Sequence, residues 1–115
     1  MRGMFLRRAY GGGGSTPATP KIKITGSGST NCYVKFPDGT MVYSAGEYDV
    51  AVGSTLYCYA NTSLAGASIT LNGNSVGTGN SGRKEYNYVV TKNATINLTY
   101  PSGGFGNVTI AITEG

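Results

Sequence analysis

The chain has 115 residues, with 9 Lys and Arg against 5 Asp and Glu, a formal net charge of +4, and only 12% charged residues. It contains no histidine, so the commonest general base and the commonest metal ligand are both missing, and a Cys/His zinc site is excluded. Nineteen glycines and an abundance of Thr, Asn and Ser give the composition of strands and tight turns rather than of helices.

Residues 1–10 read MRGMFLRRAY, with Arg2, Arg7 and Arg8, no acid, and the large apolar side chains of Met4, Phe5, Leu6 and Tyr10. Ten residues cannot bury a core of their own, yet these side chains are ill suited to a solvated tail. The segment therefore reads as an arm that docks into another protein. The linker that follows, GGGGSTPATP, is flexible in its Gly half and extended in its Pro half, and spans roughly 33 Å when stretched. Residues 1–20 are thus arm and linker, and residues 21–115 are one domain of the size of an immunoglobulin-type sandwich. The apolar run of the arm stops at Arg7, too short for a secretory signal, and glycines stand where twin-arginine export needs a hydrophobic segment. No stretch reaches the length of a membrane span.

From Lys21 onward, period-two alternation recurs between turn signals placed every eight to twelve residues. The first strand sets Ile22 and Ile24 on one side. The second sets Cys32, Val34 and Phe36 inward and Tyr33 and Lys35 outward, and Pro37-Asp38-Gly39 then turns the chain back into residues 40–43. Residues 46–52 place Tyr48, Val50 and Val52 together, with Glu47 and Asp49 on the opposite, solvated side. Residues 55–60 bury Leu56 and Cys58 while Tyr57 and Tyr59 face outward. After a loop over residues 61–66 come Ile69 and Leu71, and then Asn72-Gly73, the strongest two-residue hairpin signal in the chain.

Residues 77–84, GTGNSGRK, carry no large apolar side chain and read as an exposed, mobile loop. Tyr86, Tyr88 and Val90 then share a face, followed by Ile96, Leu98 and Tyr100, a loop from Pro101, and finally Val108, Ile110 and Ile112. The expected fold is an all-β, Ig-like antiparallel β-sandwich of about seven to nine strands behind an extended N-terminal arm, because no connection is long enough for a helical crossover.

Little in the domain carries chemistry. Six cations (Lys21, Lys23, Lys35, Arg83, Lys84 and Lys92) face five anions (Asp38, Glu47, Asp49, Glu85 and Glu114), so the domain is nearly neutral and lacks the basic stripe of a nucleic-acid binder. Cys32 and Cys58 each fall on the apolar side of a strand and read as buried thiols, with a disulfide across the sandwich as the alternative. The Glu47/Asp49 pair could serve a calcium ion or a glycosidase, but fits the solvated side of a strand. The Asn-x-Ser/Thr sites at Asn61, Asn93, Asn97 and Asn107 are what a chain rich in Asn and Thr produces by chance. Nine tyrosines and no tryptophan are the one compositional feature with functional meaning. Tyr33, Tyr57 and Tyr59 form a candidate glycan-binding or protein-interface surface.

The series YDVAVGSTLYCYA, ASITLNGNSVGTG and YNYVVTKNATINLTY resembles the small Ig-like domains of virion proteins of tailed bacteriophages, and MRGMFLRRAYGGGG is similar to the arginine-rich openings of small structural proteins of gut phages. The resemblance implies a capsid-decorating, fibre-forming or host-glycan-binding protein, located in the virion after assembly in the host cytoplasm, and it offers no catalytic residue. The expected function is that of a non-enzymatic auxiliary capsid protein attached through Arg2, Met4, Phe5, Leu6, Arg7, Arg8 and Tyr10. The alternative is a carbohydrate-binding or adhesion module of a phage fibre, tail or bacterial surface protein. The expected partners are the major capsid protein or other virion proteins, host-surface carbohydrate and further copies of the chain. No cofactor, metal, nucleic acid or membrane is expected.

Overall fold

The computed structural model describes residues 19–101 and 106–115. Within them the chain forms eleven strands and no helix: β1 (Lys21–Ser27), β2 (Cys32–Lys35), β3 (Met41–Val42), β4 (Gly46–Asp49), β5 (Thr55–Asn61), β6 (Ala67–Leu71), β7 (Asn74–Ser75), β8 (Thr78–Asn80), β9 (Arg83–Val89), β10 (Ala94–Thr99) and β11 (Val108–Glu114). They build two sheets, one of six strands in the order β4-β1-β10-β11-β6-β7 and one of five in the order β3-β2-β5-β9-β8. The architecture is all-β and sandwich-like.

The alternation in the sequence explains which faces meet. The six-stranded sheet contributes Ile22, Ile24, Ile69, Ile96, Leu98, Val108, Ile110 and Ile112 to one buried cluster, and the five-stranded sheet contributes Cys32, Val34, Leu56, Cys58, Ala60 and Tyr88, with Val90 just past the end of β9. At roughly 1.5–3 kcal/mol for each large apolar side chain removed from water, this cluster is the dominant favourable contribution to folding. Among the described residues the cluster runs from Ile22 to Ile112.

The two strongest turn signals act as their residues dictate. At Pro37-Asp38-Gly39, the Asp38 carboxylate accepts a hydrogen bond from the Thr40 amide at 2.9 Å and Gly39 takes φ +93°. Asn72 and Gly73 adopt φ +52° and +86°, the left-handed pair of a two-residue hairpin between β6 and β7.

Four expectations need correction. The sheets are not wholly antiparallel: β1 pairs with β10, and β6 with β11, in parallel. These partners are far apart in sequence, and the chain returns between them through strands of the other sheet, so a parallel pair needs no helix. Eleven strands replace seven to nine, because β7 and β8 are short edge strands held by backbone pairing, with wholly exposed side chains. The segment from residue 77 to 84 is therefore no free loop, since β8 pairs with the start of β9, Thr78 opposite Glu85 and Asn80 opposite Arg83. Val52 does not join Tyr48 and Val50 in facing inward. β4 ends at Asp49, the Ser54 amide closes a turn on the Ala51 carbonyl, and Val52 stands 63% exposed.

Candidate functional site

The outer faces of the two sheets differ in kind. On the six-stranded sheet the outward positions are Lys23 and Thr25 of β1, Thr95, Asn97 and Thr99 of β10, and Thr109, Ala111 and Thr113 of β11, a face of small and polar side chains. On the five-stranded sheet, register brings Tyr33, Tyr59 and Glu85 into one row across β2, β5 and β9, and Lys35, Tyr57 and Asn87 into the next. Met41 continues the second row onto β3, and Val89 lies on the same face of β9, opposite Thr55. Both are exposed, Met41 at 41% and Val89 at 50%.

The three tyrosines proposed from the sequence are thus brought together. Tyr33 and Tyr59 have ring centroids 5.2 Å apart at an interplanar angle of 34°, and Tyr57 lies 6.3 Å from each of them. Tyr33 and Tyr59 are in contact in a tilted arrangement, and the Tyr57 and Tyr59 rings are closer to parallel, at 25°. The Arg83 guanidinium sits 5.5 Å from the Tyr59 ring centroid and pairs with Glu85 at 3.3 Å. Tyr57 donates its hydroxyl hydrogen to Glu85 Oε1 at 2.6 Å. Desolvation raises the Tyr57 phenol above its ordinary range, and the hydrogen bond to Glu85 and the charge of Glu85 add to the effect. Tyr33 is raised as well, first by desolvation and then by Tyr59 and Glu85. The face thus sets three phenol rings beside Glu85, Lys35 and Arg83.

The sequence reading identified the tyrosines but not Arg83 and Glu85, which belong to the segment around the expected loop and reach the cluster only through cross-strand register. A strict outward alternation of Arg83, Glu85, Asn87 and Val89 was the available signal.

The arm residues Arg2, Met4, Phe5, Leu6, Arg7, Arg8 and Tyr10 lie outside the described residues. Cys32 and Cys58 are free thiols, both fully buried on the inner face of the five-stranded sheet. Burial pushes Cys32 up to about 11 and Cys58 to about 12. Glu47 and Asp49 are exposed at the rim of a recess floored by Phe36 and Tyr48, and Asp49 is held by the Lys21 ammonium at 2.7 Å. Among the described residues no three His, Cys, Asp or Glu side chains gather as metal ligands. The sequon asparagines link strands and loops: Asn93 accepts from the Lys21 amide, Asn97 from the Thr25 hydroxyl, and Asn107 from the Gly66 amide.

Comparison of the chain with protein-family models, with curated proteins and with solved structures returned no match.

Proposed function

We propose that the protein is a non-enzymatic virion structural protein, an auxiliary or decoration component that holds an Ig-like β-sandwich on a phage capsid through its N-terminal arm. One observation supports this reading: among the described residues, both sheets contribute to one buried cluster that runs from Ile22 to Ile112, a core that a domain behind the basic and apolar segment of residues 1–10 supplies for itself. Side chains of that kind serve best in the recesses of a partner, where Arg2, Arg7 and Arg8 meet carboxylates or carbonyls and Met4, Phe5, Leu6 and Tyr10 fill apolar pockets.

The test is deletion of residues 1–14. Association with capsid particles is expected to be lost while the thermal unfolding midpoint of the domain stays nearly unchanged. Wild-type occupancy by the truncated protein would overturn the reading. The rival function, adhesion to host-surface carbohydrate, is separated by a glycan array. Binding that disappears in the Tyr57→Ala, Tyr59→Ala double variant favours adhesion, and a blank array with folded protein favours the structural role.

A further inference from the structure

We infer that the outer face of the five-stranded sheet is a self-association surface whose occupant is the same face of a second copy of this chain. The face is singular within the molecule, as the only sheet face among the described residues that combines aromatic rings, exposed aliphatic side chains and arginine. Tyr, Met and Arg are the residue types that interfaces enrich, and here Tyr33, Tyr57 and Tyr59 form the centre with Met41 and Val89 at the flanks. A centre of three aromatic rings is the arrangement of a hot spot ringed by weaker contacts.

Size favours a protein over a sugar. The apolar positions run from Met41 on the edge strand β3 across β2 and β5 to Val89 on β9, beyond the ring cluster in both directions. Four strands at about 4.8 Å spacing and up to seven residues at about 3.3 Å rise give a footprint of at most roughly 14 by 23 Å. Even with side-chain relief this lies below the ~800 Å² per partner of a standard protein interface and fits a small, weak one. A single pyranose ring would cover only the tyrosines.

Charge favours a second copy over an unrelated partner. Glu85 is the anion of the face, and its cations are Arg83, which already pairs with it, and Lys35, which has no carboxylate partner among the described residues. Lys35 and Glu85 lie on opposite sides of β5, in adjacent rows. A two-fold axis in the plane of the interface, passing between Tyr57 and Tyr59 at right angles to the line from Lys35 to Glu85, brings Lys35 of each copy over Glu85 of the other while the tyrosines pack on one another. This is the self-complementarity that an isologous dimer requires. Such pairing goes beyond attachment by the arm and is independent of it.

The experiment is sedimentation velocity on the full chain over about 1 to 500 µM, which brackets affinities typical of small interfaces. The mass is expected to rise from monomer to dimer. Val89→Lys, at an exposed position outside the core, is expected to weaken the dimer by about tenfold or more, as is Lys35→Glu, while Thr113→Lys, exposed on the outer face of the six-stranded sheet, leaves it unchanged. Combining Lys35→Glu with Glu85→Lys is expected to restore part of the loss, which a merely structural effect of either change would not do. A monomer throughout the range, a dimer indifferent to Val89→Lys and Lys35→Glu, or a monomer that binds an arrayed oligosaccharide through Tyr57 and Tyr59 overturns the inference. So does a dimer abolished by deleting residues 1–14, an outcome that leaves the arm reading standing.

Discussion

Tyr57 on β5 reaches diagonally across to Glu85 on β9 and donates its phenolic hydrogen at 2.6 Å, while Glu85 faces Tyr59 directly in the register of the same strand pair. The bond ties two rows of the tyrosine face together and fixes where the carboxylate points. Because Tyr57 is only half-buried, much of the bond's strength is exchanged for hydration on opening, and Tyr57→Phe is expected to cost at most about 1 kcal/mol. Chemical denaturation should register that small loss. Its larger effect should be on self-association, where a released Glu85 no longer presents a fixed target for Lys35, so that the dimer of Tyr57→Phe sediments as a weaker complex than wild type.

The buried thiols and phenols make the fold sensitive to alkali. Cys32 and Cys58 are raised by burial to about 11 and about 12, and Tyr88 is raised by burial and by its hydrogen bond to Glu114. A group whose pKa is raised on folding contributes stability that is fully present below its unfolded value and is lost as pH rises through its folded value. For the thiols that window opens near pH 9 and closes near pH 11 to 12. Denaturant midpoints are expected to hold from pH 6 to 9 and to fall steeply above it. Cys58→Ala, by removing the most deeply buried thiol, should lower stability at neutral pH but flatten the alkaline decline. At pH 8 a thiol reagent should label neither cysteine in the native protein and both in denaturant.

Glu114 accepts from the Tyr88 hydroxyl at 2.8 Å and from the Asn72 side-chain amide at 3.1 Å, and its own amide donates to Asn72 Oδ1 at 2.9 Å. The Tyr88 bond first and the Asn72 bond second hold its carboxyl below the usual range. Stability from a depressed carboxyl is present above the unfolded pKa and is lost as pH falls through the folded one, so it is an acid-side effect. In Tyr88→Phe the loss of midpoint between pH 5 and pH 2 is expected to be shallower than in wild type. Asn72→Ala removes both bonds and also forces alanine into φ +52°, a left-handed conformation that costs an ordinary residue roughly 1–2 kcal/mol, and urea titration at pH 7 should show a loss of at least that size.

What alternation encodes was legible in the sequence, and what pairing encodes was not. The positions Ile22/Ile24, Cys32/Val34, Leu56/Cys58, Ile96/Leu98 and Ile110/Ile112 follow from period-two burial, and all are buried. Direction is different: parallel β1–β10 pairing uses the same inward set as an antiparallel arrangement, so no residue signals it. The edge strand β8 has no apolar side chain to mark it and exists because its backbone completes the ladder of β9. The same reasoning divides the candidate surface. Tyr33, Tyr57 and Tyr59 stand out by composition and outward phase, whereas Arg83, Glu85, Met41 and Val89 join them through register across four strands.

Gly26 on β1 offers the sharpest test of the parallel pairing itself. It takes φ +80° opposite Leu98 of β10, and a β-carbon placed there would meet the Leu98 carbonyl oxygen at 2.1 Å, backbone that cannot swing aside. Gly39, at φ +93° in the turn after β2, has nothing near the same position. Both substitutions to alanine carry the left-handed penalty of roughly 1–2 kcal/mol, but only Gly26→Ala must also separate two paired strands. The difference between the two variants in denaturant midpoint therefore isolates the close approach of β1 to β10. Gly26→Ala is expected to lose clearly more stability than Gly39→Ala, and to speed hydrogen exchange at the amides of residues 94–99. Equal losses would show that β1 does not lie against β10 in this register.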